Sequence, residues 1–273
     1  MSATPDRSAP PDRSAAPAVS ATPDGPVTPG SPVTPERVAP ERVVPEGGRR
    51  RRRPTKQGAV LSERLIVDTA LRLVAEHGAD ALSVRRLGAA LGADPSALYR
   101  YFRNTDALLL ALADELIGRA QEGWEATGDW RADLRSMGLR IHSSYLSQPQ
   151  AALLAAHRTT GRRHETRAVE TILGILRDGG FPDALAVRIY HAFVDQALAF
   201  AAQDAAASAL PRAAAVADAE VWHAVYGRLP ADTHPNIAAT YGFLAADMRD
   251  SGYPFALELM LTAVEALHPA ARR

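Results

Sequence analysis

The stretch DPSALYRYFRNTDALL, residues 94–109, places two tyrosines, a phenylalanine and two arginines within the length of one short helix. With residues 95–102 helical, Leu98 and Phe102 stand four apart on an inward face, and Ser96, Tyr99, Arg100 and Arg103 point outward. A short helix with an exposed tyrosine and arginine face fits a DNA major groove, about 12 Å wide, where tyrosine hydroxyls reach phosphates and a guanidinium forks onto guanine. The competing reading packs Tyr99 and Tyr101 between helices. It accounts less well for both tyrosines together with their basic neighbours.

The elements that would hold this face are legible upstream and downstream. Leu65, Ile66, Ala70, Leu73 and Val74 line one side of a helix that Ser62 can cap and Gly78 can stop. Ser83 then caps VRRLGAALG, with Val84, Leu87 and Leu91 inward and Gly92 making the turn. Asp94 caps a third helix with Pro95 at its first position, where a missing N–H costs nothing, and this helix is predicted to run to Phe102. Asn104 or Thr105 opens a longer fourth. The three-residue link GAD between the second and third helices has the length a helix-turn-helix needs.

The formal net charge of zero conceals an asymmetry. Residues 1–48 carry net −2, residues 49–103 carry +7 from twelve cations against five acids, and residues 104–273 carry −5. One concentrated basic segment on a neutral chain points to a polyanion partner. Lys56 is the only lysine, so arginine is the default cation here and its mere presence says little. The run Arg49, Arg50, Arg51, Arg52 and Arg53 repels itself and is expected to be extended and solvated until it meets phosphate. Before it, residues 1–48 hold eleven of the twenty prolines and repeat PDRSA, PVTP and PERV, a composition expected to form a disordered tail, passive or partner-docking.

Composition also excludes chemistry. There is no cysteine, so disulfides, thiolate metal sites and cysteine nucleophiles are out, and a cytoplasmic home is expected. The N-terminal residues lack a signal peptide's apolar core, and the later apolar runs are interrupted by Asp114, Gln203 and Asp204, so no membrane-spanning segment is expected. HETRA at 164–168 begins like a zinc-protease helix but ends in Ala168 where the second histidine must stand. With no GxSxG, phosphate loop or paired CxxC either, the chain is not expected to be an enzyme, nor to carry a cofactor or metal.

Residues 62–112 resemble the DNA-binding domain of the Tet repressor (TetR) family. The likeness runs through Gly78, Ser83, Leu87, Leu91, Gly92, Leu98, Tyr99, Tyr101, Phe102, Asp106 and Leu108. It implies that Ser83 and Arg85 approach phosphate and groove edge, that Pro95, Ser96 and Ala97 sit at base edges, and that Tyr99 and Tyr101 contact backbone and thymine methyls. Arg100 occupies a variable position suited to base reading. Gly88 stands where the family usually has Ala, at a cost of up to about 1 kcal/mol of helix propensity. Thr105 stands where many members have a phosphate-binding Lys, a cation that Arg103 or the arginine arm can replace. Such an arm, set before the first helix, is placed to reach along the backbone or into a flanking minor groove.

Residues 107–273 are helical in periodicity almost throughout. Two segments, 183–206 and 254–268, are too apolar and too rich in small residues for lone surface helices, and suggest burial against a partner. The resemblance implies the same, a homodimer through a four-helix bundle, which suits two-fold half-sites in a double-stranded DNA operator. A weaker likeness to the Tet repressor's own C-terminal domain lies in LLAAHRTTGRR and in HPNIAATYGFLAADMRDSGYPFALELML. It sets His157 on a histidine that helps hold a drug-chelated divalent ion. The family's later ligand histidine falls at Asp195 and its acidic anchor at Gln203, so no metal is expected. Polar groups among apolar helices are the candidates for binding a small-molecule effector: His142, Tyr145, His157, Tyr190, Asp195, Gln196, Trp222 and Phe243, with His191 and Tyr226 beside them. For each alone, a satisfied core or interface residue is the competing reading.

The expectation is therefore an all-α chain: a Pro-rich tail (1–48), an Arg-rich arm (49–60), a helix-turn-helix domain (61–106) and a helical ligand-binding and dimerisation domain (107–273). Its expected function is ligand-responsive transcription regulation. Two alternatives stay open: a regulator signalled by a protein partner through the tail, and a nonspecific nucleic-acid binder driven by the arginine run.

Overall fold

The computed structural model describes residues 60–247 and 250–272; the tail and the arginine run lie outside them. Among the described residues there are eleven α-helices and no β-strand. The first four form the head. α1 (Glu63–His77) starts where the Ser62 hydroxyl accepts from Leu65 N–H and stops at Gly78, whose φ of 73° few other residues tolerate. α2 (Val84–Leu91) starts at Ser83, which accepts from Arg86 N–H, and ends at Gly92 in the left-handed region. α3 (Pro95–Leu98) starts at Asp94, and α4 (Thr105–Gln121) at Asn104, whose side chain accepts from Ala107 N–H.

The third helix is shorter than its sequence predicts. Regular α-structure ends at Leu98 and a turn carries the chain through Tyr101. The Tyr101 N–H donates to Leu98 O in the tighter i to i−3 pattern, although Phe102 N–H still reaches the same oxygen at 3.0 Å. Asn104, extended at φ −161°, must begin α4 immediately afterwards, which leaves no room for another turn. Leu98 and Phe102 are buried as expected, in the same apolar core as Ile66, Leu87 and Leu91. Gly88 also gains a reason: a Cβ there would lie 3.0 Å from the carbonyl oxygen of Ala93, where α2 and α3 close on each other.

The body continues with α5 (Trp130–Leu146), α6 (Pro149–Ala155), α7 (Arg163–Asp178), α8 (Asp183–Ser208), α9 (Arg212–Val225), α10 (Pro235–Asp247) and α11 (Tyr253–Leu267). α8 is central, packing on α5, α6 and α7, and α11 packs on α5 and α8. Its inward face is Ala186, Ile189, Phe193, Ala197, Ala201 and Ala205, spaced three or four apart, so small residues let the neighbouring helices approach closely. At Gly138 of α5 a Cβ would stand 2.6 Å from the Tyr253 hydroxyl, so only glycine admits that ring. α9 contributes no buried residue, and Val216, Val221, Val225, Phe243 and Leu244 of α9 and α10 are exposed.

Candidate nucleic-acid interface and effector domain

Head and body share α4, which begins in the helix-turn-helix and ends in the body core, with Leu112 and Leu116 fully buried. Two ion pairs cross the same junction: Arg158 Nη2 with Asp106 Oδ1 at 2.8 Å, and Arg162 with Glu63. Behind them, the buried Asp114 carboxylate of α4 accepts from the N–H groups of His164 and Glu165 and from the Thr160 hydroxyl. It neutralises the positive end of α7 and fixes that helix to α4. These contacts join the α6–α7 segment to the first turns of α1 and α4 and to the middle of α4.

The outward face of the head is built as its spacing predicts. Arg85, Pro95, Ser96, Arg100, Arg103 and Thr105 are exposed, Ala97 and Ser83 half-buried, and Tyr99 is 56% exposed. Asp94 is used locally: its carboxylate accepts from Ser96 N–H at 2.7 Å, and bonding to the Ser96 side chain and backbone holds its pKa below the usual carboxylate value. Tyr101 is different. It is half-buried, and its hydroxyl donates to the carbonyl oxygen of Leu61 at 2.6 Å, tying the end of the reading turn to the start of α1. Arg49 to Arg53 lie outside the described residues.

The eight effector candidates stand in different environments. His142 is buried and its Nε2 lies 2.8 Å from Asp204 Oδ2, which also accepts from the Ser251 hydroxyl at 2.5 Å, while the ring stacks on Tyr253 at 4.6 Å. Tyr145 is 2% exposed, and burial first, then the charges of Glu165 and Asp114, push its phenol well above the usual range. Tyr190 is half-buried, and burial followed by Glu165 and Asp195 raises it as well. Gln196 donates to Ala256 O on α11 while its carbonyl oxygen is buried without a partner. His157, His191 and Asp195 are exposed. Trp222 stacks on Tyr226 at 4.2 Å and Phe243 is 77% exposed, both on the α9–α10 segment.

Sequence reasoning did not find Asp204, Ser251 and Tyr253, which complete the polar node around His142. Ser251 and Tyr253 sit in SGYP, which reads in sequence as simple punctuation. The Tyr253 hydroxyl is itself buried without a partner among the described residues. Elsewhere, a cleft of about 820 Å³ opens between α1, α4 and α7, lined among others by Arg64, Glu115, Arg119, Arg163 and Arg167. Its charged walls are the reverse of the apolar lining small-molecule sites show.

A helix-turn-helix that continues through one helix into an all-helical body is a DNA-binding architecture. Residues 66–112 match the model described as bacterial regulatory proteins, tetR family, and residues 122–268 match the tetracyclin repressor-like C-terminal domain. The chain belongs to the TetR family of bacterial regulatory proteins. It is 32% identical over 126 residues to the class D tetracycline repressor protein of Escherichia coli, a match covering 45% of this chain and 57% of that protein, so it spans little more than half of that relative. To the HTH-type transcriptional repressor DrrR1 of Streptomyces coeruleorubidus it is 25% identical over 228 residues, covering 81% and 82% of the two chains. The crystal structure of the Streptomyces coelicolor TetR family protein ActR in complex with actinorhodin superposes with a TM-score of 0.68 at 26% identity, covering 77% of this chain and 98% of that one. No helix among the described residues is long and apolar enough to cross a membrane.

Proposed function

We propose that this chain is a ligand-responsive transcription repressor that binds a palindromic operator as a homodimer in the cytoplasm and is released by a small molecule. The observation that carries the reading is the outward face of the head, where Ser96, Tyr99, Arg100 and Arg103 stand exposed around a short helix whose apolar side is fully spent on the core. Arg100 is the base reader, Tyr99, Arg85 and Arg103 contact phosphate, and Pro95, Ser96 and Ala97 approach base edges. Tyr101 braces the turn from within. Residues 61–106 form the reading domain, 107–273 the effector and dimerisation domain, and the arginine arm adds phosphate contacts.

The dimer reading is supported by apolar side chains left outside on the central helices: Val187 of α8, and Phe255 and Leu259 of α11, which are 71% and 57% exposed. A second copy covering them would set two heads about a two-fold axis. The effector reading draws on the ActR complex with actinorhodin and on the unpartnered Tyr253 hydroxyl and Gln196 carbonyl between the body helices. A ligand that prefers one arrangement of α6 and α7 shifts the heads through Asp114, Arg158 and Arg162, and a few kcal/mol of preference suffices. Footprinting on the chain's own upstream DNA tests this. The expected pattern is two protected half-sites about 34 Å apart, related by a two-fold axis. A single continuous protection that ignores sequence would refute it.

A further inference from the structure

The loop between α4 and α5, the start of α5 and the last turns of α7 border an open pocket of about 170 Å³, apart from the DNA-reading face. Two of the chain's three tryptophans, Trp124 and Trp130, line it, both half-buried. Trp130 is held from behind: Phe181 meets it edge to face at 5.1 Å and His268 lies parallel to it at 6.3 Å. His268 is itself anchored to the Gly179 carbonyl oxygen at 2.6 Å. Two of the lining residues are glycines with free space about them. A Cβ at Gly128 or Gly174 would meet nothing within 4 Å, so both leave open space.

Among the described residues, the charged side chains lining this space are Asp133 and Asp178, with no cation. The nearby arginines are turned elsewhere, Arg131 to Glu258 and Glu265 and Arg177 to Asp183. Asp133 is buried, with its carboxylate filled by Thr127 and Gly128 donors, so it contributes charge and shape. Asp178 is exposed and ends α7, where the helix dipole is negative and a carboxylate is disfavoured unless a cation joins it. Among the described residues no arginine or histidine lies within ion-pair distance of it. Two indoles, a carboxylate and a helix C-terminus bordering one space attract the same ligand, an organic cation.

We propose that this pocket binds a small organic cation of the alkylammonium type, held against Trp124 and Trp130 and facing Asp178. Its volume is well below the ~300 Å³ at which drug-sized sites begin, which limits the ligand to a few non-hydrogen atoms. The site is separate from the polar node at His142 and from the reading face.

The test is a titration of the Trp222→Phe full-length chain, whose fluorescence then comes from the two lining indoles, with choline and with its uncharged isostere carrying tert-butyl in place of trimethylammonium. Choline is expected to change the emission saturably, and the isostere to bind about tenfold more weakly or worse. Asp178→Asn and Trp124→Leu should each weaken choline by about tenfold. Gly174→Leu, which fills the pocket while improving helix propensity, should abolish binding with the thermal transition unchanged or raised. Absence of a saturable change through the millimolar range, equal binding of the isostere, or unaltered binding by Gly174→Leu would each overturn the proposal.

Discussion

The two tyrosines of the reading segment separate under one small change, loss of the hydroxyl. In Tyr101→Phe the 2.6 Å bond to the Leu61 carbonyl disappears, and Leu61 is a buried residue. A typical net hydrogen bond is worth about 1 kcal/mol, rising toward ~3 kcal/mol when the abandoned partner stays dry. For a body of this size about 1 kcal/mol lowers Tm by roughly 2–4 °C. Tyr99 is 56% exposed, so Tyr99→Phe should leave stability within about 0.5 kcal/mol. It should instead cost a phosphate contact, about 1 kcal/mol or roughly fivefold in DNA affinity. Thermal unfolding followed by circular dichroism and binding followed by fluorescence anisotropy read the two effects apart. If Tyr101→Phe melts like the wild type and loses DNA affinity while Tyr99→Phe loses neither, the assignment of the two rings is reversed and the reasoning fails.

Two further outcomes follow from the same chemistry. Tyr253→Phe removes a buried hydroxyl that has no partner, so it should be neutral or stabilising by about 1 kcal/mol in denaturant unfolding, and a loss above that would mean the hydroxyl has a partner. Burial raises the folded-state pKa of this phenol above the ordinary 10.0, so above pH 10 the unfolded phenol ionises first and folding loses stability as pH rises; Tyr253→Phe should accordingly flatten part of the alkaline stability loss. Deleting residues 1–53 should reduce the slope of log affinity against log salt by roughly 0.9 for each phosphate the arginines contact, and an unchanged slope would remove the arm from the interface.

Local signals made the head legible. Ser62, Ser83, Asp94 and Asn104 are side chains that can accept from N–H groups two or three residues on, a relation that sequence spacing displays directly, and all four do so. The length of α3 was not legible: the Asn104 start of α4 is visible in sequence, but the tighter Tyr101 N–H to Leu98 O bond that ends regular α-structure at Leu98 is not. Tyr101 shows a second limit: its bond to Leu61 joins residues forty apart, and nothing near either one announces the other. The body follows the same rule. The small-residue face of α8 is visible as a pattern, whereas the joining of His142, Asp204 and Ser251 depends on how α5, α8 and the entry to α11 meet. Trp222 and Phe243 look like pocket residues by type but lie on α9 and α10, beyond the core their own chain provides.

A face around Arg100 that reads a DNA sequence must bind one duplex in preference to another. The most direct measurement is the affinity of the full-length chain for its own upstream duplex and for a scrambled duplex at about 150 mM salt, with Arg100→Ala alongside. The native duplex is expected to bind about a thousandfold more tightly than the scrambled one. Arg100→Ala should erode that preference by about tenfold or more while nonspecific binding changes little. Equal binding to both duplexes, unaltered by Arg100→Ala, would contradict a reading role for this face.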